Sequence, residues 1–398
     1  MPNVSRSNVI VILGALSAFG ALSTDMYLPA LPALTRDFAT DQLGTQLTLA
    51  TFFIGFASGQ AFFGPIADRF GRKRPLFAGL LLYVLSSVGC ALAPSIEALA
   101  AMRLLQGIGA CSGVVIARAI VRDLFPPQET PHIFASLMLV MGVAPILAPL
   151  VGGYLFALAG WQAIFWVLAA IGAAVLVASA RQLPESHRPG AGDTLALGAV
   201  LARYRALLKD RRYLGYALVT GISFAGMFAY IAGSPFVFIN IYHVPAHSFG
   251  WVFGLNALGL IGFSQLNRVL HRFLDTFGLL RAALGAQAVA GLVLLATSAT
   301  GFGGMIGVMV PLFVYVSCVG LVAPNATALA MAPHARNAGS ASALLGTLQF
   351  AIASLAAIAV GSMEVVSALP MGAVICASGL LAVVVLVLMI QRAPQAVA

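Results

Sequence analysis

Two ionisable residues stand where an apolar sequence has no ordinary use for them. Asp25 sits in STDMYLPALP (23–32), directly after VIVILGALSAFGAL, an uncharged run that begins at Val9. Arg103 sits in AMRLLQGIGACSGVVIARAIVRDLF (101–125). If both stretches cross a membrane, each charge costs about 2.5–3.5 kcal/mol on insertion scales. Charges in that position pair with one another or line a polar cavity, and an acid there can carry a proton. At 1.5 Å per residue, Arg103 lies about 10 Å in from the outer end of its run. Asp25 also falls in the outer half of its run, so the two are expected to share one depth. The alternatives are a helix cap at the outer surface for Asp25, because Pro29 and Pro32 follow, and an interhelical tie for Arg103.

Other groupings carry chemistry of a different kind. GPIADRFGRKRP (64–75) places Gly64 and Gly71 for close approach and a sharp turn, and Asp68 for capping or for pairing with an arginine. Its Arg69, Arg72, Lys73 and Arg74 suit an anionic inner leaflet. Arg118 either snorkels to the headgroups beside Arg122 or faces a cavity, and Arg122 and Asp123 are expected to join Asp68 in a charge network. In GVAPILAPLVGG (142–153), Pro145 and Pro149 are four apart on one helical face, and Gly152 and Gly153 follow. Candidates for an apolar substrate cavity with a few polar groups are Tyr27, Gln60, Gln106, Arg118, Met138, Met141, Phe224, Met227, Phe228 and Tyr230. His243 and His247 are four apart, but Pro245 intervenes and no metal site is expected. Cys90, Cys111, Cys318 and Cys376 stand singly in apolar runs and read as packing residues.

The elements that must hold these groups follow from composition. The 398 residues are 61% hydrophobic and only 8% charged, with a mean hydropathy of +0.99. A soluble domain is about 25% charged, so the chain reads as an all-α polytopic membrane protein. Twelve apolar runs are expected to cross: 9–34, 45–66, 75–93, 96–124, 130–157, 162–182, 213–240, 249–270, 279–299, 303–331, 338–361 and 370–391. The first run is too long for a cleavable signal peptide. Lys and Arg fall on one side of these runs, and the outer loops hold only Arg36, which puts both termini in the cytoplasm. The net charge of +9 is thus an orientation signal rather than a sign of nucleic-acid binding.

The basic stretch at 183–212 reads as a cytoplasmic linker between six-span bundles at 1–182 and 213–398. Part of it, LALGAVLARYRALLKD, has the pattern of a helix on a membrane surface. D-x-F-G-x-x-R occurs at Asp68–Arg74 and again at Asp275–Arg281, after the second and the eighth spans, as an internal repeat would place it. Duplicated six-helix halves form a transporter architecture.

GPIADRFGRKRP resembles the loop 2–3 signature of the major facilitator superfamily, and RLLQGIGA (103–110) its fourth-helix arginine motif. APILAPLVGG resembles the fifth-helix motif of the drug/proton antiporters. TDMYLPALP, AIVRD (119–123) and GISFAGMFAYIAGSPFVFIN (221–240) are similar to the bicyclomycin-resistance (Bcr/CflA) branch. The resemblance runs along the whole chain. It implies two pseudo-symmetric six-helix bundles and a proton-driven exporter of small antibiotics or metabolites in the bacterial inner membrane. It implies proton coupling by Asp25 with Arg103, and gating by Asp68, Pro145, Pro149 and Gly153; Gly64, Arg69, Gly71 and Arg72 of the same loop, with Arg122 and Asp123, are expected to take part in that gating. Some relatives carry a second acid in the first helix, whereas this chain has only Asp25 there. The expected partners are the bilayer, protons and a small-molecule substrate, with a monomer sufficient. No cofactor, nucleotide, nucleic acid or metal is expected, the proton gradient being the energy source. A proton-coupled importer on the same fold is the alternative. The scattered histidines and acids argue against a membrane enzyme, and the lack of a P-loop argues against an ATP-driven pump.

Overall fold

A computed structural model describes residues 6–126, 128–187, 197–363 and 367–391. Its helices are α1 (Arg6–Asp25), α2 (Leu31–Asp37), α3 (Gln42–Phe70), α4 (Lys73–Ala91), α5 (Ile96–Leu124), α6 (Thr130–Gln182) and α7 (Leu197–Lys209). The chain continues through α8 (Arg211–Pro235), α9 (Ala246–Leu270), α10 (Thr276–Thr300), α11 (Gly304–Met331), α12 (Ala338–Gly361) and α13 (Leu369–Val385). Among the described residues there is no strand. An all-helical solution follows from the solvent, since lipid offers no partner to a free backbone group.

Several helix starts are fixed by capping side chains. The Asp41 carboxylate accepts from Gly44 N at the start of α3, and the Ser95 hydroxyl accepts from Ala98 N at the start of α5. Asp210 does the same for α8, accepting from Arg212 N and Tyr213 N.

The first apolar run is not one helix. Pro29 brings no N–H and α1 stops at Asp25. A 3-10 turn, Leu28–Ala30, then leads into α2. The longest helix, α6, contains an apolar stretch of 44 residues, about twice what a bilayer needs. It breaks at Ala159 and Gly160, where Gly160 takes φ +78. With that break counted, the described helices give twelve crossings.

The D-x-F-G-x-x-R stretches lie where the second crossing gives way to the third and the eighth to the ninth, as expected, but they fold differently there. Asp68 lies in the last turn of α3, whereas Asp275 caps α10 by accepting from Gly278 N at 3.2 Å. Gly71 turns the chain at φ +82, whereas Gly278 is inside a helix. The two stretches share a place in the order of crossings but not their local geometry.

Contacts divide the chain into two compact units. The first runs to Leu197 and takes in Pro245–Trp251; the second holds Gly198–Val244 and everything from Val252. In the first, α3 and α5 cross with backbones nearly touching: a Cβ on Gly55 would collide with the Leu104 carbonyl, and one on Gly107 with the Phe52 carbonyl. Small residues at such crossings are what lipid-embedded helices need, because no hydrophobic force draws them together. In the second, α8, α10 and α11 share neutral bonds. Ser223 Oγ donates to Gln287 Oε1 (2.8 Å), and Gln287 Nε2 donates to the Tyr315 carbonyl (3.2 Å).

Candidate functional site

Among the described residues, the buried charged side chains are Asp25, Arg72 and Arg103, all in the first unit. Arg103 projects from α5 and is fully buried. Its guanidinium lies 4.4 Å from the ring centre of Phe52, 4.8 Å from Tyr27 and 5.8 Å from Phe165. These rings come from α3, the turn after α1 and α6, so the cation closes a cage built by four segments. Nη1 donates to the Ser23 carbonyl (2.9 Å) and to Gln106 Oε1 (2.6 Å), while Nε and Nη2 have no partner. The Ser23 carbonyl belongs to the last turn of α1, where the helix leaves carbonyls without an intrahelical donor. Gln106 passes the network on, donating from Nε2 to Ser87 Oγ (2.8 Å), and Ser23 Oγ lies 2.8 Å from the Tyr83 hydroxyl.

Asp25 is 5% exposed and closes α1 two residues beyond Ser23. It makes no hydrogen bond or ion pair with any described residue. The expected pair with Arg103 is therefore not formed, although Arg103 bonds the Ser23 carbonyl two residues before Asp25. Depth alone suggested it; the orientation of the side chains around their helices decides otherwise. Asp25 is not a surface cap either, being buried.

The backbone behind Asp25 is held by α6. A Cβ on Gly152 would collide with the Met26 carbonyl, so the glycine of APILAPLVGG admits the kinked end of α1. Pro149 and Gly153 are buried in the same helix and Pro145 is half-buried. Gly152→Val is expected to destabilise the protein by about 1–3 kcal/mol through overpacking, read as a lower melting temperature in detergent. An unchanged melting point would show that α6 does not seat there.

A second constellation lies at the other end of the first unit. Arg72 is its hub: Nη1 donates to Asp68 Oδ1 and Nε to Asp123 Oδ2 (2.8 Å). Arg122 is exposed and makes no ion pair with a described residue, which corrects its place in the expected network. Arg69 lies over the Phe70 ring at 5.4 Å. Gly71 turns the chain with φ +82. Gly64 does not serve close approach, since a Cβ there would meet open space.

Sequence reasoning missed Glu185, which it read as linker. Its carboxylate accepts from the backbone N–H of Arg72 (2.7 Å) and of Lys73 (3.1 Å). It thereby satisfies free donors at the start of α4 with a negative charge at the positive helix end. Ser186 Oγ donates to Asp123 Oδ2 (3.0 Å), and His187 Nε2 is 3.0 Å from the Asp68 carbonyl. The end of α6 is thus tied to the loop, and residues 188–196 of the expected linker lie outside the described ones. The only advance signal was an acid within a basic stretch. Glu185→Gln keeps one acceptor and loses the charge. A loss of about 1–2 kcal/mol is expected, checked by thermal unfolding.

The cavity candidates separate. Tyr27 and Gln106 belong to the sealed cage, and the Tyr27 hydroxyl bonds Thr48 Oγ1 (2.9 Å). Tyr230 is buried, stacked on Phe253 at 5.3 Å, with its hydroxyl accepting from Asn256 Nδ2 (3.2 Å). These three are packing residues in this structure, not cavity lining. Phe228 is buried between Phe224 and Phe350, and Gln60 is buried in α3. Met141, Phe224, Met227 and Arg118 are half-buried, and Arg118 has no partner among the described residues. The side chain of Met138 lies outside the described ones. The four cysteines are buried and unpaired, and no metal-binding group occurs among the described residues.

The family model of the Major Facilitator Superfamily matches residues 13–358. The chain is 38% identical to the uncharacterized MFS-type transporter YdgK of Bacillus subtilis, over 93% of this chain and 92% of that protein. It is 32% identical to the bicyclomycin resistance protein homolog of Haemophilus influenzae, over 93% of each. The crystal structure of a D-xylose–proton symporter superposes with a TM-score of 0.73 at 16% identity, covering 96% of this chain and 97% of that one. The last likeness shows the fold; the first three carry further. With twelve apolar crossings and a caged arginine in α5, the chain belongs to the Major Facilitator Superfamily, alongside bicyclomycin-resistance relatives, and is a multi-pass membrane transporter rather than an enzyme.

Proposed function

We propose that this transporter exports small antibiotics or related metabolites from the bacterial cytoplasm in exchange for protons. The observation that carries the reading is Asp25, the one buried carboxylate among the described residues, standing with no cationic partner. Adding a proton to such a group breaks no ion pair, so its charge can change as the site is exposed to one side or the other. Open to the outside, Asp25 takes a proton as drug leaves; open to the inside, it gives the proton up as drug enters. The chain then sits in the inner membrane with both termini cytoplasmic, works as a monomer, and needs the proton gradient and no cofactor. Arg103 holds the end of α1 through Ser23 and so positions Asp25. The Asp68–Arg72–Asp123 ions, with Glu185, hold the cytoplasmic end in one state and release it in another. The names of the relatives support export, and bicyclomycin-like compounds are the first substrates to try.

The test is antibiotic susceptibility in a pump-deficient bacterium carrying the gene or an empty vector. Drug-induced proton release from reconstituted vesicles accompanies it. Protection together with proton movement is expected. Protection without proton movement would refute the coupling, and proton-driven uptake would make the protein an importer.

A further inference from the structure

The most basic stretch of the described chain takes no part in the site above. Arg203, Arg205 and Lys209 of α7, with Arg211 and Arg212 just after it, are all exposed. The one acid among them, Asp210, is already engaged: it caps α8 and lies 3.1 Å from His334 Nε2. One side of α7 is fixed to the second unit, because Leu207 and Tyr204 pack into a cluster with Tyr213, Leu279 and Leu280. The other side is free and mixed. Leu201 and Leu208 are 50% and 41% exposed, and they share one helical face with Arg205 and Lys209. An apolar strip edged by cations is the pattern of a helix at a membrane interface. Its place supports this, for a single residue separates Lys209 from Arg211, where the membrane span α8 begins.

We propose that the outer face of α7 is a docking surface for the anionic lipid of the adjoining leaflet. Leu201 and Leu208 enter the acyl boundary, and Arg205 and Lys209 on the same face meet the phosphates. Their long stems let the cations reach headgroups while the leucines go deeper. This docking pins the linker to the second unit on the membrane plane. It goes beyond the transport cycle and stands whatever the substrate is.

The test places a bimane label at Leu208→Cys, with Ala206→Cys on the opposite side of the helix as control. The four native cysteines are buried, and unsubstituted protein gives the background labelling. The full chain is reconstituted in phosphatidylcholine alone and in phosphatidylcholine with one third phosphatidylglycerol. Each is quenched by brominated lipid from the membrane and by iodide from water. Brominated lipid is expected to quench the Leu208 label roughly twofold more in the anionic vesicles, and salt is expected to weaken that difference. In Arg205→Gln/Lys209→Gln, the anionic and neutral vesicles should become alike. Equal lipid quenching in both vesicles overturns the recognition of anionic lipid. Iodide quenching in both overturns the docking itself and leaves the face to a soluble acidic partner. The salt dependence of the protein with its charges intact decides the matter if the double variant does not fold.

Discussion

Asp25→Asn is expected to abolish active export while leaving the protein folded. The amide is close to the protonated acid in shape, and no described partner is lost, because the carboxylate has none. What disappears is the change of charge. About 100 mV of proton driving force supplies about 2.3 kcal/mol per charge, enough for a roughly fiftyfold drug gradient. The variant should lose that gradient and relax to equal concentrations. It should still exchange labelled for unlabelled drug across vesicles, since that exchange needs no net proton movement. Susceptibility should fall to the empty-vector level at equal membrane abundance, and drug-induced proton release should vanish. A full gradient in the variant would remove Asp25 from the coupling and turn attention to residues outside the described ones.

Much of the fold is legible because the bilayer imposes a length. Each apolar run must span about 30 Å, so counting residues finds the crossings, and even the break in α6 falls between the runs expected at 130–157 and 162–182. What counting cannot supply is rotation about a helix axis. Asp25 and Arg103 share a depth and still do not meet, because Arg103 turns into the rings of Tyr27, Phe52 and Phe165. Tyr27 and Gln106 read as cavity residues for the same reason: polarity within an apolar run is visible, but its direction is not. Arg72 and Asp68 are four apart in one motif and were legible together. Glu185 was not, because its bonds go to backbone N–H groups 113 and 112 residues away, which leave no mark on side-chain pattern. The D-x-F-G-x-x-R match gives the place of the two loops in the chain but not their local bonding. Asp68 pairs with Arg72, and Asp275 caps a helix.

The cage around Arg103 yields the sharpest test of the site. Arg103→Lys keeps the charge but loses the planar group that lies against Phe52 and Tyr27 while bonding Ser23 and Gln106. Desolvated cation–ring contacts are worth about 2 kcal/mol, and a buried acceptor left unpaired costs about 1–3 kcal/mol. A destabilisation of about 2–5 kcal/mol is therefore expected, with transport reduced more than about tenfold as the end of α1 loosens and Asp25 loses its position. The structure and the sequence then part company in a double-mutant cycle. If Asp25 and Arg103 were an ion pair, removing either would strand the other, and Asp25→Asn with Arg103→Gln would be far milder than the single changes added together. With Asp25 unpaired, the stability effects should add to within about 0.5 kcal/mol. Transport should not add, because a gradient already abolished by Asp25→Asn has nothing further to lose. Additive stability with non-additive transport assigns Arg103 to positioning and Asp25 to the proton. A coupling energy above about 1 kcal/mol would restore the ion pair as the resting arrangement of the site.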